Sequence, residues 1–318
     1  MELLKQLYLI DAQSGSEKKQ RDFIIDYIKD IKDISFETDE TGNLYVTKGT
    51  SETYPCIVSH LDEVHSMRPK DFKVLVSEGY ILGMDDKTHT QHGIGADDKN
   101  GIWVCLRCLE RYDAVKCVFF VGEETGCIGS NHADMTFFDD CRFVLQCDRR
   151  NNSDFITSIG GYKLCGNDFL DDAKIDDFGY KASEGLTTDV YTLRKNGLKV
   201  ASANMSCGYY DPHKNTEFTY FPDLEKCLGL VSYIVENCTK TYGMKKVKAV
   251  ASTRGWYAGG NGLYPQSPLN RWMSENCDLS LLEAWMKYLY EKKLSHVDFD
   301  TFTRSWMECS SKSNKWSV

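Results

Sequence analysis

Acidic and histidine side chains recur in this sequence where apolar runs end. They are His60 and Asp62 after YPCIVS, Glu123 and Glu124 after VKCVFFVG, and Asp148 after RFVLQC. Asp97, Asp98 and His213 lie in polar stretches that can reach the same place. Histidine nitrogens and carboxylate oxygens are ligands that proteins offer to Zn²⁺, Co²⁺ and Mn²⁺. The set therefore suits two divalent metal ions and needs no cysteine ligand.

The spacing within these groups has a chemical meaning. In His60-x-Asp62 both side chains can lie on one face, so the acid can accept a hydrogen bond from the ring nitrogen that faces away from a metal. Asp97 can bridge two metals, which at about 3.5–4 Å apart share a water and lower its pKa. Of two adjacent glutamates, one can bind metal while the other takes the proton of that water.

The apolar runs predict the strands that must position these side chains. Each is short and continuous, which indicates a strand buried on both faces. Helical patterns follow in IWVCLRCLERYD, from Asp189 to Asn196, and from Pro222 to Asn237. The alternation predicts an α/β fold with a mixed, largely parallel central sheet and helices on both faces. Ligand sites in such sheets lie at the carboxyl ends of the strands.

Turn signals and a third apolar run complete the pattern. Thr41-Gly42-Asn43 and Glu78-Gly79 each lie between two strand-like runs and predict hairpins. LKVASANMSCG predicts another strand, and an amphipathic helix is expected after Ser16.

Five motifs occur in the order typical of one superfamily: HLD, GADDKNG, GEETG, the strand-end Asp148 and PHKNTE. Over about residues 1–240 the chain resembles the co-catalytic zinc exopeptidases, which include peptidase T, glutamyl aminopeptidases and carboxypeptidase G. GADDKNG is especially similar to the corresponding segment of peptidase T. The resemblance implies the zinc-exopeptidase (phosphorylase/hydrolase-like) fold.

The resemblance also implies a ligand set for two divalent ions, zinc first, with cobalt or manganese as alternatives. Asp97 would bridge both ions, next to a cis peptide bond to the following aspartate. His213 and Glu124 would complete the shell of the first ion. His60 and Asp148 would bind the second.

Two further residues would act without binding metal directly. Glu123 would be the general base and then the proton donor, and Asp62 would orient His60. In this superfamily an aspartate at the position of Asp148 accompanies aminopeptidases, whereas glutamate accompanies carboxypeptidases and deacylases. The expected activity is therefore an aminopeptidase that acts on short peptides.

The chain departs from these relatives in its inserts. The spacing between Asp148 and His213 is too short for the dimerisation lid of peptidase T-like enzymes. The spacing between His60 and Asp97 is too short for the β domain of other relatives. We therefore expect a catalytic domain without these inserts, so that substrate contacts made by a lid are absent.

Each motif also has an ordinary structural explanation. A lone HxD is usually incidental, adjacent glutamates usually lie on a solvated face, and Asp97-Asp98 beside glycine usually forms a turn. His213 after proline would usually be an exposed loop residue. At the level of function, the alternatives are a deacylase or carboxypeptidase of the same chemistry, or a non-catalytic binding protein on this fold. The identity of the product separates the first two from an aminopeptidase.

Three other features have two explanations each. Arg149-Arg150 can hold a substrate carboxylate or form a structural ion pair. Thr187-Thr188-Asp189 resembles a superfamily segment near the cleft, with a helix N-cap as the competing explanation. The remaining histidines are expected at the surface or behind the ligands: His65, His89, His92, His132 and His296.

The composition limits partners and compartment. The 318 residues carry a net charge of -9, which argues against a nucleic-acid binder with a basic stripe. No apolar run approaches the roughly 20 residues that span a bilayer. The first residues lack the apolar core of a secretory signal, so we expect a cytoplasmic protein whose 13 cysteines are reduced, most of them buried in the core.

A domain boundary is expected near residue 245. Residues 1–244 would form the di-metal hydrolase domain. Residues 245–318 hold five of the six tryptophans and a possible capping box at Ser280 and Glu283. This C-terminal appendage is expected to contain two helices, and it either packs on the domain, forms a dimer face or covers the cleft.

Overall fold

The computed structural model describes residues 1–245. The predicted tryptophan-rich appendage at 245–318, including His296 and the possible capping box, lies outside the described residues apart from its first residue.

A nine-stranded sheet forms the centre of the fold. Its strands are β1 (Ile34–Thr38), β2 (Leu44–Lys48), β3 (Tyr54–His60), β7 (Val115–Phe120), β8 (Cys141–Arg149), β9 (Asp154–Ile159), β10 (Tyr162–Lys163), β11 (Lys181–Gly185) and β12 (Ala201–Ser206). They lie in the order β1-β2-β7-β3-β8-β12-β9-β10, with β11 beside β9. The four central strands β7, β3, β8 and β12 are mutually parallel, and antiparallel strands flank them. The mixed, largely parallel sheet is thus confirmed.

A smaller sheet of five strands lies apart from the central one. It consists of β4 (Phe72–Ser77), β5 (Tyr80–Asp85), β6 (Thr90–His92), β13 (Tyr209–Tyr210) and β14 (Phe218–Tyr220). Strand β14 pairs with β5, so chain segments more than a hundred residues apart meet here. This sheet brings the segment before Asp97 beside the segment that carries His213. The sequence predicted the β4–β5 hairpin but not its pairing with β14.

The helices cover both faces of the central sheet. They are α1 (Glu2–Tyr8), α2 (Lys18–Ile28), α3 (Ala96–Arg111), α4 (Ile128–Asn131), α5 (Asn167–Ala173), α6 (Asp189–Lys195) and α7 (Phe221–Asn237), with two 3-10 turns at Met135–Phe138 and Ile175–Phe178. The helices predicted near α2, α3, α6 and α7 are confirmed. The range of α3 includes Asp97 and Asp98, whose backbone angles are not helical, so the regular helix begins only after Asp98, near the end of the expected GADDKNG loop.

Alternation along the central strands divides the core in two. Ile57 packs in the cluster that contains α1, α2, α3 and α7, whereas its neighbour Val58 packs in the cluster that contains α6. Cys117 and Val118 divide in the same way. Successive side chains of a strand point to opposite faces, so a strand covered on both sides must be apolar throughout. This requirement explains the continuous runs in the sequence.

The cysteines of the described residues are buried and unpaired. Cys105, Cys117 and Cys147 lie in the core, as expected for small apolar side chains. No helix within residues 1–245 is long and apolar enough to cross a membrane.

Candidate metal centre

The carboxyl ends of three adjacent parallel strands bring the predicted site together. His60 ends β3, Glu123 and Glu124 follow the neighbouring β7, and Asp148 lies near the end of β8 on the other side. Asp97 and His213 reach the same edge from α3 and from the loop after β13. The five predicted ligands thus meet in one place, and one ligand atom each of His60, Asp97 and Glu124 lie within 4.8 Å of one another.

Asp97 lies between the two histidines. Its Oδ1 is 3.2 Å from His60 Nε2, and its Oδ2 is 3.3 Å from His213 Nε2. The two carboxylate oxygens therefore serve two different histidines, which is the arrangement of a bridging carboxylate. The Asp97–Asp98 peptide bond is cis, as the resemblance implied.

A third and a fourth carboxylate flank this group. Glu124 Oε1 is 3.0 Å from His213 Nε2, and Asp148 Oδ1 is 3.8 Å from His60 Nε2. His60 is almost fully buried, while the His213 side chain is 49% exposed. One end of the centre is therefore enclosed, and the other is open to solvent and substrate.

Asp62 contacts both His60 and the loop after β7. His60 Nδ1 lies 3.0 Å from the main-chain oxygen of Asp62 and 3.3 Å from its carboxylate. The carboxylate in turn accepts the backbone N–H groups of Glu123 at 2.9 Å and Glu124 at 3.2 Å, and the hydroxyl of Ser14 at 2.7 Å. Asp62 is thus placed to fix the His60 ring, chiefly through its main chain, and also fixes the two glutamates.

Asp148 is held by Thr188, from the segment that resembles one near the superfamily's cleft, and by Gln146 and Asn204, which the sequence analysis did not identify. Gln146 Nε2 and Thr188 Oγ1 each donate to its Oδ2 at 3.0 Å, and Asn204 Oδ1 accepts its backbone N–H at 2.9 Å. Thr188 precedes α6, but its side chain makes no capping hydrogen bond. Thr188 is therefore the N-cap residue of α6 by position, but its hydroxyl is used on Gln146 and Asp148 rather than on the helix.

Asp98 has a structural position behind the centre. Its carboxylate is buried and accepts hydrogen bonds from Ser59 Oγ at 2.6 Å, from the His60 backbone at 3.2 Å and from the Gly101 backbone at 3.0 Å. A Cβ on Gly101 would lie 2.4 Å from an oxygen of Asp98, so this approach requires glycine. Asp98 therefore connects the end of β3 to the start of α3.

Glu217 holds the segment before Asp97, and the sequence analysis missed it. Its side chain is fully buried, and its Oε2 accepts the backbone N–H groups of Ile94 at 3.1 Å, Gly95 at 2.7 Å and Ala96 at 3.1 Å. His65 Nε2 lies 2.9 Å from the same oxygen. Glu217 ends the PHKNTE motif, which was the available signal, but its partners are about 120 or more positions away.

The centre contains more carboxylates than histidines. The carboxylates of Asp97 and Glu124 raise the pKa of His213 to about 11. Burial lowers the pKa of His60, but the carboxylates of Asp148, Asp62 and Asp97 outweigh it and raise that pKa well above its usual range. Burial and the charge of Asp97 raise the pKa of Asp148 to about 7. Bound positive charge therefore stabilises this cluster of carboxylates, and either protons or divalent cations can supply it.

Glu123 differs from its neighbour. Burial, together with the charges of Asp148 and Asp189, raises its pKa well above the usual range, against the opposing effect of His60. Its Oε1 lies 3.6 Å from Cys127 Sγ, a weak donor. A carboxylate with a raised pKa beside a ligand cluster has the properties of a general base.

The donor set fits divalent metal. Ligands of a tetrahedral zinc ion lie roughly 3.3–3.5 Å apart, given bond lengths of about 2.0–2.2 Å. The nitrogen-to-oxygen distances in the cluster run from 3.0 to 3.8 Å. Within residues 1–245, the buried Glu124 Oε1 has no hydrogen-bond partner, although His213 Nε2 is 3.0 Å away. Atoms that are close but not hydrogen-bonded are typical of two ligands of one ion.

Solved structures share this fold. An aminopeptidase PepT from Bacillus cereus aligns over 73% of this chain and 96% of its own, with 14% identity and a TM-score of 0.58. A tripeptidase from Staphylococcus aureus aligns over 74% and 96%, with 15% identity and a TM-score of 0.59. An aminopeptidase from the archaeon Desulfurococcus kamchatkensis aligns over 74% and 94%, with 19% identity and a TM-score of 0.56.

At these identities the likeness establishes the fold. The chain therefore has the fold of these peptidase structures, which is the fold that the resemblance implied. Neither a scan against protein-family models nor a search of curated protein sequences finds a match.

Proposed function

We propose that residues 1–244 form a metal-dependent exopeptidase domain, an aminopeptidase that removes N-terminal residues from short peptides. The arrangement of Asp97 supports this most directly. It places one carboxylate oxygen against His60 and the other against His213, with Asp148 and Glu124 at the two ends. These five residues would hold two divalent cations, zinc first and cobalt or manganese as alternatives. Bound there, the cations would supply the Lewis acid that polarises a carbonyl and lowers the pKa of water.

The protein's own groups would then move the proton. Glu123, whose pKa is raised, takes it from the attacking water and delivers it to the leaving amine. Asp62 holds the main chain of Glu123 so that this carboxylate stays beside the cluster. His60 and Asp148 would hold a cation that can accept the lone pair of a free N-terminal amine, as an aminopeptidase requires.

We also propose a cytosolic location, since the described cysteines are buried thiols and the cytosol keeps thiols reduced. Fractionation of cells, with a tagged chain followed alongside a cytosolic marker, tests this. Recovery of the chain in another compartment would overturn it.

The function is tested by measuring metal content and peptide hydrolysis together. The full chain is loaded with zinc, and the metal is counted by mass spectrometry. It is then assayed on di- and tripeptides with free, acetylated or formylated N-termini, with and without a chelator. We expect two ions per chain and chelator-sensitive release of N-terminal residues from the free peptides alone. Release of acetate or of C-terminal residues would instead identify a deacylase or a carboxypeptidase.

A variant separates metal binding from catalysis. Glu123→Gln should keep two ions while kcat falls about 10²–10⁴-fold, because the general base is lost. Glu184→Gln, an exposed glutamate on β11, is the matched control and should keep wild-type kcat. Unchanged turnover in Glu123→Gln would exclude the proposed base, and a chain that binds no metal under replete conditions would exclude the site.

A further inference from the structure

The two arginines after Asp148 have different surroundings. Arg149 Nε donates to Asp154 Oδ2 at 3.3 Å, and both side chains are partly buried. Arg150 is exposed and has no carboxylate within ion-pair distance among residues 1–245. The ion-pair explanation therefore holds for Arg149, whereas the guanidinium of Arg150 is available to bind a substrate carboxylate.

Arg150 lines a cavity formed by the chain segments that follow Asp148 and flank His213. The cavity measures about 400 Å³, and Lys214, Asn151, Tyr210 and Phe218 also line it. Its two cationic residues are chain neighbours of the predicted ligands. Arg150 is two residues beyond Asp148, and Lys214 follows His213 directly.

The walls of this cavity are fixed. The buried Ser206 donates its hydroxyl to the main-chain oxygen of Arg150 at 2.7 Å, and the Asn151 N–H donates to Tyr209 O at 2.8 Å. The rings of Tyr210 and Phe218, which also line the cavity, stack with centroids 5.0 Å apart and planes at 11°. The main chain that carries Arg150 is thus held in place, while its guanidinium remains open to a ligand.

The charge of the cavity contrasts with that of the candidate metal centre. Asp211 also lines it, but lies 3.6 Å from Lys214 Nζ in a pair whose side chains are 67% and 50% exposed. Such exposed pairs are weak, so Lys214 is not committed to Asp211. A guanidinium binds carboxylates through two parallel hydrogen bonds, and an ammonium adds a second positive charge. The cavity is therefore suited to a carboxylate.

We propose that this cavity is a subsite for a carboxylate of the substrate, with Arg150 as its specificity-determining residue. The inference rests on the proposed peptidase function and adds the class of substrate to it. A short peptide carries an ammonium at one end and a carboxylate at the other. The basic cavity suits the carboxylate, and the metal centre would receive the amine end. The carboxylate comes either from the C-terminus of a short peptide or from an aspartate or glutamate side chain.

Paired substrates distinguish the two sources. One pair is a tripeptide as its free acid and as its C-terminal amide. The other is a tripeptide amide with glutamate or glutamine at one position, placed in turn at the first, second and third residue. Wild type, Arg150→Gln and Arg149→Gln are compared by kcat and KM. Arg149→Gln is the matched control, since it removes the same charge from the neighbouring position.

In one of these substrate pairs, we expect the wild type to prefer the peptide that carries the carboxylate by about tenfold in kcat/KM, as charge-assisted hydrogen bonds allow. Arg150→Gln should lose this preference through a raised KM, and Arg149→Gln should keep it. Equal rates on acid and amide and on every glutamate and glutamine peptide would overturn the subsite while leaving the peptidase proposal intact. Retention of the wild-type preference by Arg150→Gln would also overturn the subsite and leave the peptidase proposal intact.

If the wild type hydrolyses no peptide, the proposed function fails and the subsite is tested by binding. Calorimetry with the same peptides then compares wild type and Arg150→Gln. A preference for the carboxylate that Arg150→Gln abolishes supports the subsite, and equal binding of both members overturns it.

Discussion

The carboxylate of Asp62 accepts the backbone N–H of Glu123 at 2.9 Å. The same residue contacts the His60 ring through its main-chain oxygen at 3.0 Å and its carboxylate at 3.3 Å. One aspartate therefore positions both a predicted metal ligand and the proposed general base. The link joins the ends of two adjacent parallel strands, β3 and β7, and fixes the spacing between ligand and base.

Replacing Asp62 by asparagine should weaken the positioning of both the metal ligand His60 and the proposed base Glu123. Asparagine has a single acceptor oxygen, so it cannot hold the N–H groups of Glu123 and Glu124 together. Loss of such a supporting contact typically costs about 10–100-fold in metal affinity. Competition with a chromophoric chelator measures this affinity, with Asp26→Asn, 73% exposed, as the control. Unaltered affinity and kcat in Asp62→Asn would show that Asp62 has no positioning role.

His213→Ala should lose one metal ion without unfolding the protein. The His213 side chain is 49% exposed, so its removal leaves no buried cavity, and the loss of its contacts with Asp97 and Glu124 should cost about 1–3 kcal/mol in the metal-free protein. Metal that binds the folded state raises Tm, and this increase should shrink in the variant. Thermal unfolding with and without zinc, together with metal counting, checks both points. His132→Ala, at an exposed position, is the control and should behave as wild type. If His213→Ala still binds two ions, His213 is not a metal ligand.

Glu217→Ala should destabilise the fold and disturb the centre. The substitution leaves four backbone N–H groups without their acceptor: those of residues 94–96 and, through a longer bond of 3.4 Å, that of Asp97. Each unsatisfied buried donor costs about 1–3 kcal/mol, so we expect a total loss of roughly 3–5 kcal/mol after relaxation. Urea unfolding measures it, with the exposed Glu225→Ala as control.

A conservative variant isolates the role of Glu217 at the metal centre. Glu217→Gln keeps an acceptor for the amides, so it should fold and lose less stability than the alanine variant. If Glu217 positions Asp97, metal affinity in Glu217→Gln should still fall. Wild-type affinity in a destabilised Glu217→Gln would mean that Glu217 supports the fold alone.

Glu63 predicts how stability depends on pH. Burial opposes its ionisation, but Lys99 at 3.0 Å and Arg68 at 2.7 Å outweigh burial and lower its pKa from 4.5 to about 2. A carboxyl whose pKa is depressed by folding stabilises the protein above its unfolded pKa, and this stabilisation is lost as pH falls toward the folded pKa. The contribution, roughly 3 kcal/mol, should therefore disappear between about pH 4.5 and 2.

Glu63→Gln tests this assignment. At pH 7 the substitution should lower the free energy of unfolding by about 3–5 kcal/mol, because Arg68 and Lys99 remain buried without their partner. The difference from wild type should narrow as pH falls below 4.5. Urea unfolding across this range measures it, with the exposed Glu37→Gln as control. A difference that stays constant with pH would assign the stabilisation to another group.

Much of the site could be predicted because its signals are local. Hydrophobic runs such as those before His60 and Asp148 identify buried strands, and a polar residue at the end of such a run is visible within a few positions. The order of the motifs then placed Asp97, Glu124 and His213 in the same set. Where local chemistry was ambiguous, the sequence left two explanations open. The hydroxyl of Thr188, before a helix, can accept a backbone N–H or donate to another side chain, and in the fold it donates to Gln146 and Asp148.

The sequence by itself determined the strands, the helices and which side chains gather at one edge of the sheet, because the periodicity of burial and the ends of strands are properties of short segments. Only the tertiary structure decided which groups support that edge. Glu217 contacts His65 across 152 positions, and Arg149 meets Asp154 while Arg150 faces a cavity. The Glu217 contact and the cavity of Arg150, which residues 210–218 also line, depend on strand order and loop paths that arise when distant segments pack together.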